Sequence, residues 1–283
     1  MENICTTAAA KVNLSLDILG KRADGYHNLS TIMHSIPLSD DIFIEFKGES
    51  IICGTNLSYI RSEKNIAVKA ALTFFKASGI PPVGMHIHIH KRIPVGAGLG
   101  GGSADAAAVL SALNATYGAP LDMDKLVAAG RTLGADVPFM LYGGCALCEG
   151  IGDKITPIKM LPTCSIVVIK PRVSLSTAEM FSLVDSAKSK EHPDTDGLIS
   201  ALNFGAFSEI ARRVFNVMES AAAIRCSEIP SIRLELQRLG AAGACMSGSG
   251  SAVFGIFESS GNAKRAAELM RSQTAETFFL QIN

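Results

Sequence analysis

Pro94-Val95-Gly96-Ala97-Gly98-Leu99-Gly100-Gly101-Gly102-Ser103-Ala104-Asp105 places five glycines within seven positions, 96–102, and then enters an alanine-rich stretch. Glycine loses more backbone freedom on folding than any other residue, so ordering such a run is costly. Chains carry it where backbone must come very close to something else. Glycines leading straight into a helix present free N–H groups at the positive end of the helix dipole, an anion site and most often a phosphate site. The P-loop pattern is absent, because no lysine follows these glycines. Gly96, Gly98 and Gly101 match the dinucleotide-binding pattern formally, but a glycine-rich run satisfies many patterns by chance. A strand feeding that turn should also be apolar on both faces and end at it. Here Met85, Ile87 and Ile89 alternate with His86, His88 and His90, and Lys91-Arg92-Ile93 intervenes. A protein-kinase glycine loop needs partner motifs that the chain lacks. A flexible linker does not run into Ala106-Ala107-Ala108-Val109-Leu110.

The chain has 283 residues, 48% hydrophobic and 18% charged, enough to bury a sizeable core. Lys plus Arg equals Asp plus Glu at 26 each, which argues against a general nucleic-acid binder but leaves room for a local nucleotide site. No apolar run reaches the roughly 18 residues of a membrane span, and no secretory signal is evident, so no membrane partner is expected. Seven scattered cysteines are not a disulfide framework, and a reducing, cytoplasmic location fits them.

Periodicity predicts strands over 11–19, 41–46, 85–90, 144–149, 166–169 and 252–257. It predicts helices over 65–78, 103–117, from 122 to 130 or 134, 177–185, 195–203, 206–220, 230–239 and 261–272. A polar loop is expected over 185–197. Pro157 and Pro162 suggest a division into 1–157 and 158–283.

Three imidazoles on one face of residues 85–90 could hold a metal, but no carboxylate or cysteine ligand is evident beside them. That face reads as a solvent-facing polar edge. Cys145-x-x-Cys148 lacks the second pair zinc needs and sits in a strand-like run, so buried thiols are the better reading. Asp136 stands alone in Gly134-Ala135-Asp136-Val137-Pro138-Phe139, where a carboxylate needs a partner or a function, the alternative being a helix cap. Lys11 is a single cation among small and apolar neighbours, Ala8 to Leu14, its alternative an ordinary strand-edge lysine. Arg22-Ala23-Asp24-Gly25-Tyr26-His27 is a polar turn with an aromatic pair, and Ser247-Gly248-Ser249-Gly250-Ser251 could give a second backbone anion contact.

Taken in order, Ala10 to Leu14, Arg22 to His27, Pro94 to Ala104, Gly134 to Pro138 and Gly248 to Gly250 resemble the GHMP kinases, the superfamily of galactokinase, homoserine kinase, mevalonate kinase and phosphomevalonate kinase. The resemblance spans nearly the whole chain. It implies an α+β, two-domain architecture with mixed sheets covered by helices and the active site in the interdomain cleft. It implies ATP as cosubstrate, with Mg²⁺, along Pro94, Val95, Gly96, Ala97, Gly98, Leu99, Gly100, Gly101, Gly102, Ser103 and Ala104. Lys91 and Arg92 would border the adenine, and Ser103 would reach Mg²⁺ or a phosphate oxygen. No residue is assigned as a dedicated metal ligand. Asp136 would be the base for the acceptor hydroxyl, and Lys11 beside it would stabilise the alkoxide. Asn13 would place the substrate.

The Arg22–His27 turn and the Gly134–Pro138 segment point to a member whose acceptor carries cytidine diphosphate, on the non-mevalonate route to isoprenoid precursors. Tyr26 and His27 would read the cytosine, Phe181 would add a second stacking ring, and Thr177 would touch substrate. Kinases for homoserine or mevalonate derivatives fit less well, since those substrates offer no base to stack on. A dinucleotide-binding oxidoreductase is the alternative from another class. A monomer or weak homodimer is expected. Asp105, a negative charge near a phosphate site, is expected to point away along its helix.

Overall fold

The computed structural model describes residues 2–60, 62, 65–187, 191–271 and 276–283. Within the expected polar loop, 188–190 lie outside the described residues, as does 272, the last residue of the expected final helix. The chain forms two compact units that do not follow one cut in the sequence. One holds Met1–Ala10, Leu38–Ile93 and Gly100–Gly143; the other holds Lys11–Pro37, Pro94–Leu99 and Gly144–Asn283. The long strands β1 (Ile4–Lys21) and β2 (His27–Glu45) therefore each contribute to both, and the glycine segment changes unit between Leu99 and Gly100.

In the first unit, β3 (Ile51–Thr55) pairs in parallel with β4 (Met85–His90), and β4 pairs antiparallel with the end of β2. Met85, Ile87 and Ile89 are buried while the three histidines face the other way, so the alternation holds. Helices α1 (Ile66–Ser78), α2 (Gly101–Thr116), α3 (Met123–Arg131) and α4 (Val137–Tyr142) pack together beside these strands. Asn65 caps α1 by accepting from the Ala67 N–H, and Gly79 closes it in the left-handed conformation at φ 71°. Alanines make α2 thin enough to be enclosed on most sides, with Ala104, Ala106, Ala107, Val109, Leu110 and Leu113 buried. It begins at Gly101, two residues before the expected start.

In the second unit, β11 (Glu276–Ile282), β7 (Cys164–Lys170), β10 (Val253–Phe257) and β9 (Gly243–Met246) form an antiparallel sheet in that order. Strand β7 is buried along its whole length, as its Ile166–Ile169 run predicts. Helix α9 (Glu228–Arg238) packs on β9 and β10, and α10 (Ser260–Arg271) on β7 and β11. β5 (Cys145–Gly150) pairs with the start of β2 and with β6 (Lys154–Pro157). The Cys145 thiol is pushed up to about 12 by burial, as fits a packed rather than reactive cysteine. Helices α5 (Thr177–Ala187) and α6 (Thr195–Phe204) match expectation closely.

The expected helix over 206–220 does not form. The segment splits into α7 (Phe207–Arg212), β8 (Phe215–Asn216) and α8 (Glu219–Arg225). Asn216 is the cause: its amide donates to the Met246 and Gly248 carbonyls and accepts from the Met218 N–H, while β8 pairs in parallel with β1 at Ser15 and Leu16. Such side-chain bonding competes with helix formation.

Candidate active site

Four consecutive carbonyls of the glycine segment are held by the protein. The Ala97 carbonyl accepts from the Ala252 N–H, and the Leu99 carbonyl from the Lys11 N–H. The Gly98 carbonyl accepts from Lys11 Nζ at 3.0 Å and Ser247 Oγ at 3.0 Å. The Gly100 carbonyl accepts from the Ala104 N–H at 2.8 Å, closing the first turn of α2. A trans peptide points its N–H opposite its carbonyl. The N–H groups of Gly98, Leu99, Gly100 and Gly101 are thus turned away from those partners, the arrangement an anion cradle needs. It requires φ of 76° at Gly98 and 73° at Gly100, and an added Cβ at Gly98 would lie 2.1 Å from the Ser247 carbonyl oxygen. Only glycine fits there.

Lys11 is buried, and its ammonium also donates to Asn13 Oδ1 at 2.7 Å. The Asn13 amide donates to Thr31 Oγ1, whose hydroxyl donates to the Ser15 carbonyl, and the Asn13 N–H donates to Ser247 Oγ. A Cβ on Gly248 would sit 3.1 Å from Lys11 Nζ. The Ser247–Ser251 segment thus packs directly on Lys11, Asn13 and Gly98 within one unit. It was legible as a backbone-rich turn but not as the floor of the lysine site.

Lys91 sits differently. Its ammonium is buried between two carboxylates, Asp105 at 2.7 Å and Asp40 at 2.5 Å. Asp40 also accepts the backbone N–H groups of Arg92 and Ile93. Asp105, expected to point away along its helix in favour of the dipole, is buried and committed to the Lys91 ammonium. Together with Lys91 it bridges the chain just before and just after the glycine run. Burial lowers the proton affinity of Lys91, but Asp105 and Asp40 more than offset it, so the group stays a firm cation. Burial pushes Asp105 up to about 7 against the pull of Lys91, with Asp40 adding to the rise. Arg92 pairs with Asp41. Asp40 was invisible in the sequence, lying in a run read only as the approach to a strand.

Asp136 is half-buried at the start of α4, on αR backbone at φ −83°, and its side chain makes no cap bond. The helix-cap alternative therefore does not describe it. Ser103, in the first turn of α2, lies against Gly134, two residues before Asp136: a Cβ on Gly134 would lie 3.7 Å from its hydroxyl. Asp136, Ser103 and Lys91 belong to one unit; Lys11, Asn13, Pro94–Leu99, Tyr26, His27, Thr177 and Phe181 belong to the other.

The second cluster surrounds His27. Its ring stacks on Phe181, centroids 4.8 Å apart and 14° from parallel, and its Nε2 meets Asp185 Oδ1 at 2.7 Å. Lys21 bonds the other oxygen of Asp185 at 2.7 Å. Lys21 and His27 hold the Asp185 carboxyl below the usual range. The carboxylate can only accept, so Nε2 carries the proton and Nδ1 is left as an acceptor in the neutral ring. Tyr26 is 61% exposed, on a turn closed by Arg22 and Asp24. Thr177 Oγ1 and Ser249 Oγ lie 3.0 Å apart. Phe181, expected as a ring facing cytosine, is stacked on His27, so the two form one aromatic surface. Asp185 was missed because it falls where the helix was expected to give way to a polar loop.

The families described as GHMP kinases N terminal domain and GHMP kinases C terminal match residues 65–144 and 198–275. The 4-diphosphocytidyl-2-C-methyl-D-erythritol kinase of Caldicellulosiruptor saccharolyticus is 44% identical over 266 residues, 93% of this chain and 91% of that protein. The enzyme of that name from Acetivibrio thermocellus is 42% identical over 99% of each chain. A crystal structure of 4-(cytidine 5'-diphospho)-2C-methyl-D-erythritol kinase superposes with a TM-score of 0.82 at 36% identity, covering 98% of both chains. A homoserine kinase from Cytophaga hutchinsonii shares the fold, with a TM-score of 0.79 at 20% identity. No helix among the described residues is long and apolar enough to cross a membrane. With 44% identity over 93% of its length and both kinase segments present, the chain belongs to the GHMP kinases and, within them, to the 4-diphosphocytidyl-2-C-methyl-D-erythritol kinase family.

Proposed function

We propose that this chain transfers the γ-phosphoryl group of ATP to the 2-hydroxyl of 4-diphosphocytidyl-2-C-methyl-D-erythritol, a step of the non-mevalonate route to isoprenoid precursors. The observation that supports the reading is the glycine segment, whose carbonyls at Ala97 to Gly100 are all engaged by the protein, so that the N–H groups of the same peptides are turned away from those partners. Phosphoryl transfer depends mainly on positioning and charge stabilisation. Pro94–Ala104 bind the phosphates, the α2 N-terminus adds its dipole, and Lys91 fixes the segment's two ends from the adenine side. Neutralising the phosphate oxygens is what Mg²⁺ supplies when bound with ATP, and Ser103 is the residue proposed to reach it or a phosphate oxygen.

Asp136 accepts the proton of the attacking hydroxyl, and Lys11 stabilises the alkoxide as it forms. Asn13 positions the acceptor and anchors the Lys11 ammonium. For the cytidine, Nδ1 of His27, the acceptor of the neutral ring, suits the 4-amino donor of cytosine. Tyr26 offers the stacking face, Phe181 contributes its ring beside His27, and Thr177 contacts substrate. We further propose a cytoplasmic monomer or weak homodimer, without nucleic-acid or membrane partners, and 1–157 and 158–283 as the two kinase domains of the sequence.

Asp136→Asn tests the chemistry. It should lower turnover by about 10²–10⁴-fold, the usual worth of a general base, while a non-hydrolysable ATP analogue binds as before. Near-normal turnover would remove Asp136 from this role.

A further inference from the structure

The histidine face of β4 carries a feature the sequence did not supply: a carboxylate. Glu45 on β2 lies directly across from His86 in the antiparallel register, with His88 on the diagonal. One ligand atom from each of Glu45, His86 and His88 lies within 4.8 Å of the others. The two imidazoles are offset by 6.4 Å and 62°, edge toward face, so they converge without stacking. His88 Nε2 already touches Glu45 Oε2 at 3.1 Å. Gly54, paired with His88 on the other side, leaves that flank open.

We infer that Glu45, His86 and His88 form a binding site for a divalent transition-metal ion of the zinc class, separate from the Mg²⁺ that accompanies ATP. Bonds of about 2.0–2.2 Å place ligand atoms about 3–3.5 Å apart, a contraction that small side-chain rotations deliver. Two imidazoles and a carboxylate suit Zn²⁺, Ni²⁺ or Co²⁺, with water completing the shell, whereas Mg²⁺ prefers oxygen ligands throughout. The present occupant of the carboxylate is Lys47, whose ammonium sits 2.6 Å from Glu45 Oε2 on a half-exposed side chain. A divalent ion displaces that single charge. Bound there, it cross-links β2 to β4 and fixes the strand that leads into Lys91.

The test uses the untagged full chain and Zn²⁺ alone, titrated by calorimetry. One saturable site is expected, and Zn²⁺ should raise the melting temperature by mass action. Loss of an outer-shell partner already weakens metal sites about 10–100-fold, so a His86→Ala, His88→Ala double variant should lose at least that much affinity. Its Mg²⁺-ATP turnover should be unchanged. Lys47→Gln should tighten binding by removing the competing cation. Co²⁺ should give d–d bands without a thiolate charge-transfer band, which separates this site from exposed Cys5. Absence of a saturable site, indifference to the double variant, weaker binding in Lys47→Gln, or a thiolate band each overturns the assignment.

Discussion

Two buried lysines hold one glycine segment in opposite ways. Lys91 bridges its ends, from β4 to Asp105 of α2, through carboxylates. Lys11 holds its middle, by the carbonyl of Gly98 and the amide oxygen of Asn13. An ammonium between two buried carboxylates is part of an ion cluster whose removal is felt as stability. The Lys11 ammonium instead grips the carbonyl of Gly98 itself, the stretch proposed to meet the phosphates, where a cation serves a reacting group. Residue type is the same; what differs is where each ammonium meets the segment, Lys91 at its ends beside two carboxylates and Lys11 at the Gly98 carbonyl.

The comparison breaks most sharply at Lys91. Lys91→Met leaves Asp40 and Asp105 buried without their shared cation, and losing one side of a buried ion cluster costs about 3–5 kcal/mol. Urea unfolding at neutral pH should show that loss, and at about pH 5 the loss should shrink, because Asp105 can then take up a proton. Unchanged stability would mean that Lys91 belongs to the nucleotide site alone. Lys11→Met is the counterpart. It should lower turnover by about 10²–10³-fold, as for loss of one transition-state donor, with a smaller effect on unfolding. If the two variants exchanged phenotypes, scaffold and chemistry would have to be reassigned.

How far the sequence reached follows the same line. Hydrophobic period and turn chemistry made β4, α1, α2, α3 and β7 legible, since each buries a regular apolar set. The short β9, built from Gly243, Ala244, Cys245 and Met246, carries no such period, and Asn216 broke a helix through bonds to residues about thirty positions away. Lys11, Asp136 and the glycine run stood out because each is locally anomalous. Asp40, Asp185 and Glu45 did not, because a carboxylate near the surface of a sequence is ordinary until folding brings a cation or imidazole to it. The reading of His86 and His88 as a polar edge rested on a missing carboxylate, and the β2–β4 register supplies it.

A smaller effect is expected at the His27 cluster. His27→Ala removes the ring that stacks on Phe181 and the acceptor that Asp185 orients. It should raise KM for the cytidine substrate about tenfold, the worth of one oriented hydrogen bond, and leave KM for ATP nearly unchanged. Equal changes in both constants would place His27 in the scaffold. Asp185→Asn should reproduce part of the effect, since an amide holds the imidazole tautomer less firmly than a carboxylate.

The effect that reads as a change of slope is the most diagnostic of the ion cluster. Asp105 titrates near 7 in the folded chain and near 3.9 when unfolded, so the folded state keeps a proton that the unfolded state releases. Its contribution to stability is complete below about pH 4 and is lost as pH rises toward 7. His34 works in the other direction. Its Nε2 accepts from the Leu161 N–H and its Nδ1 donates to the Ser35 carbonyl, so the buried ring is neutral and its pKa falls to about 4. That contribution is present above about pH 6.5 and is lost as pH falls toward 4. In the parent chain the two slopes oppose each other across the same window. Asp105→Asn removes one of them, so the urea midpoint of the variant should climb more steeply between pH 4.5 and 6.5 than that of the parent. A variant whose profile parallels the parent's would show that Asp105 is already ionised beside Lys91 and that the cluster is held by full charges throughout.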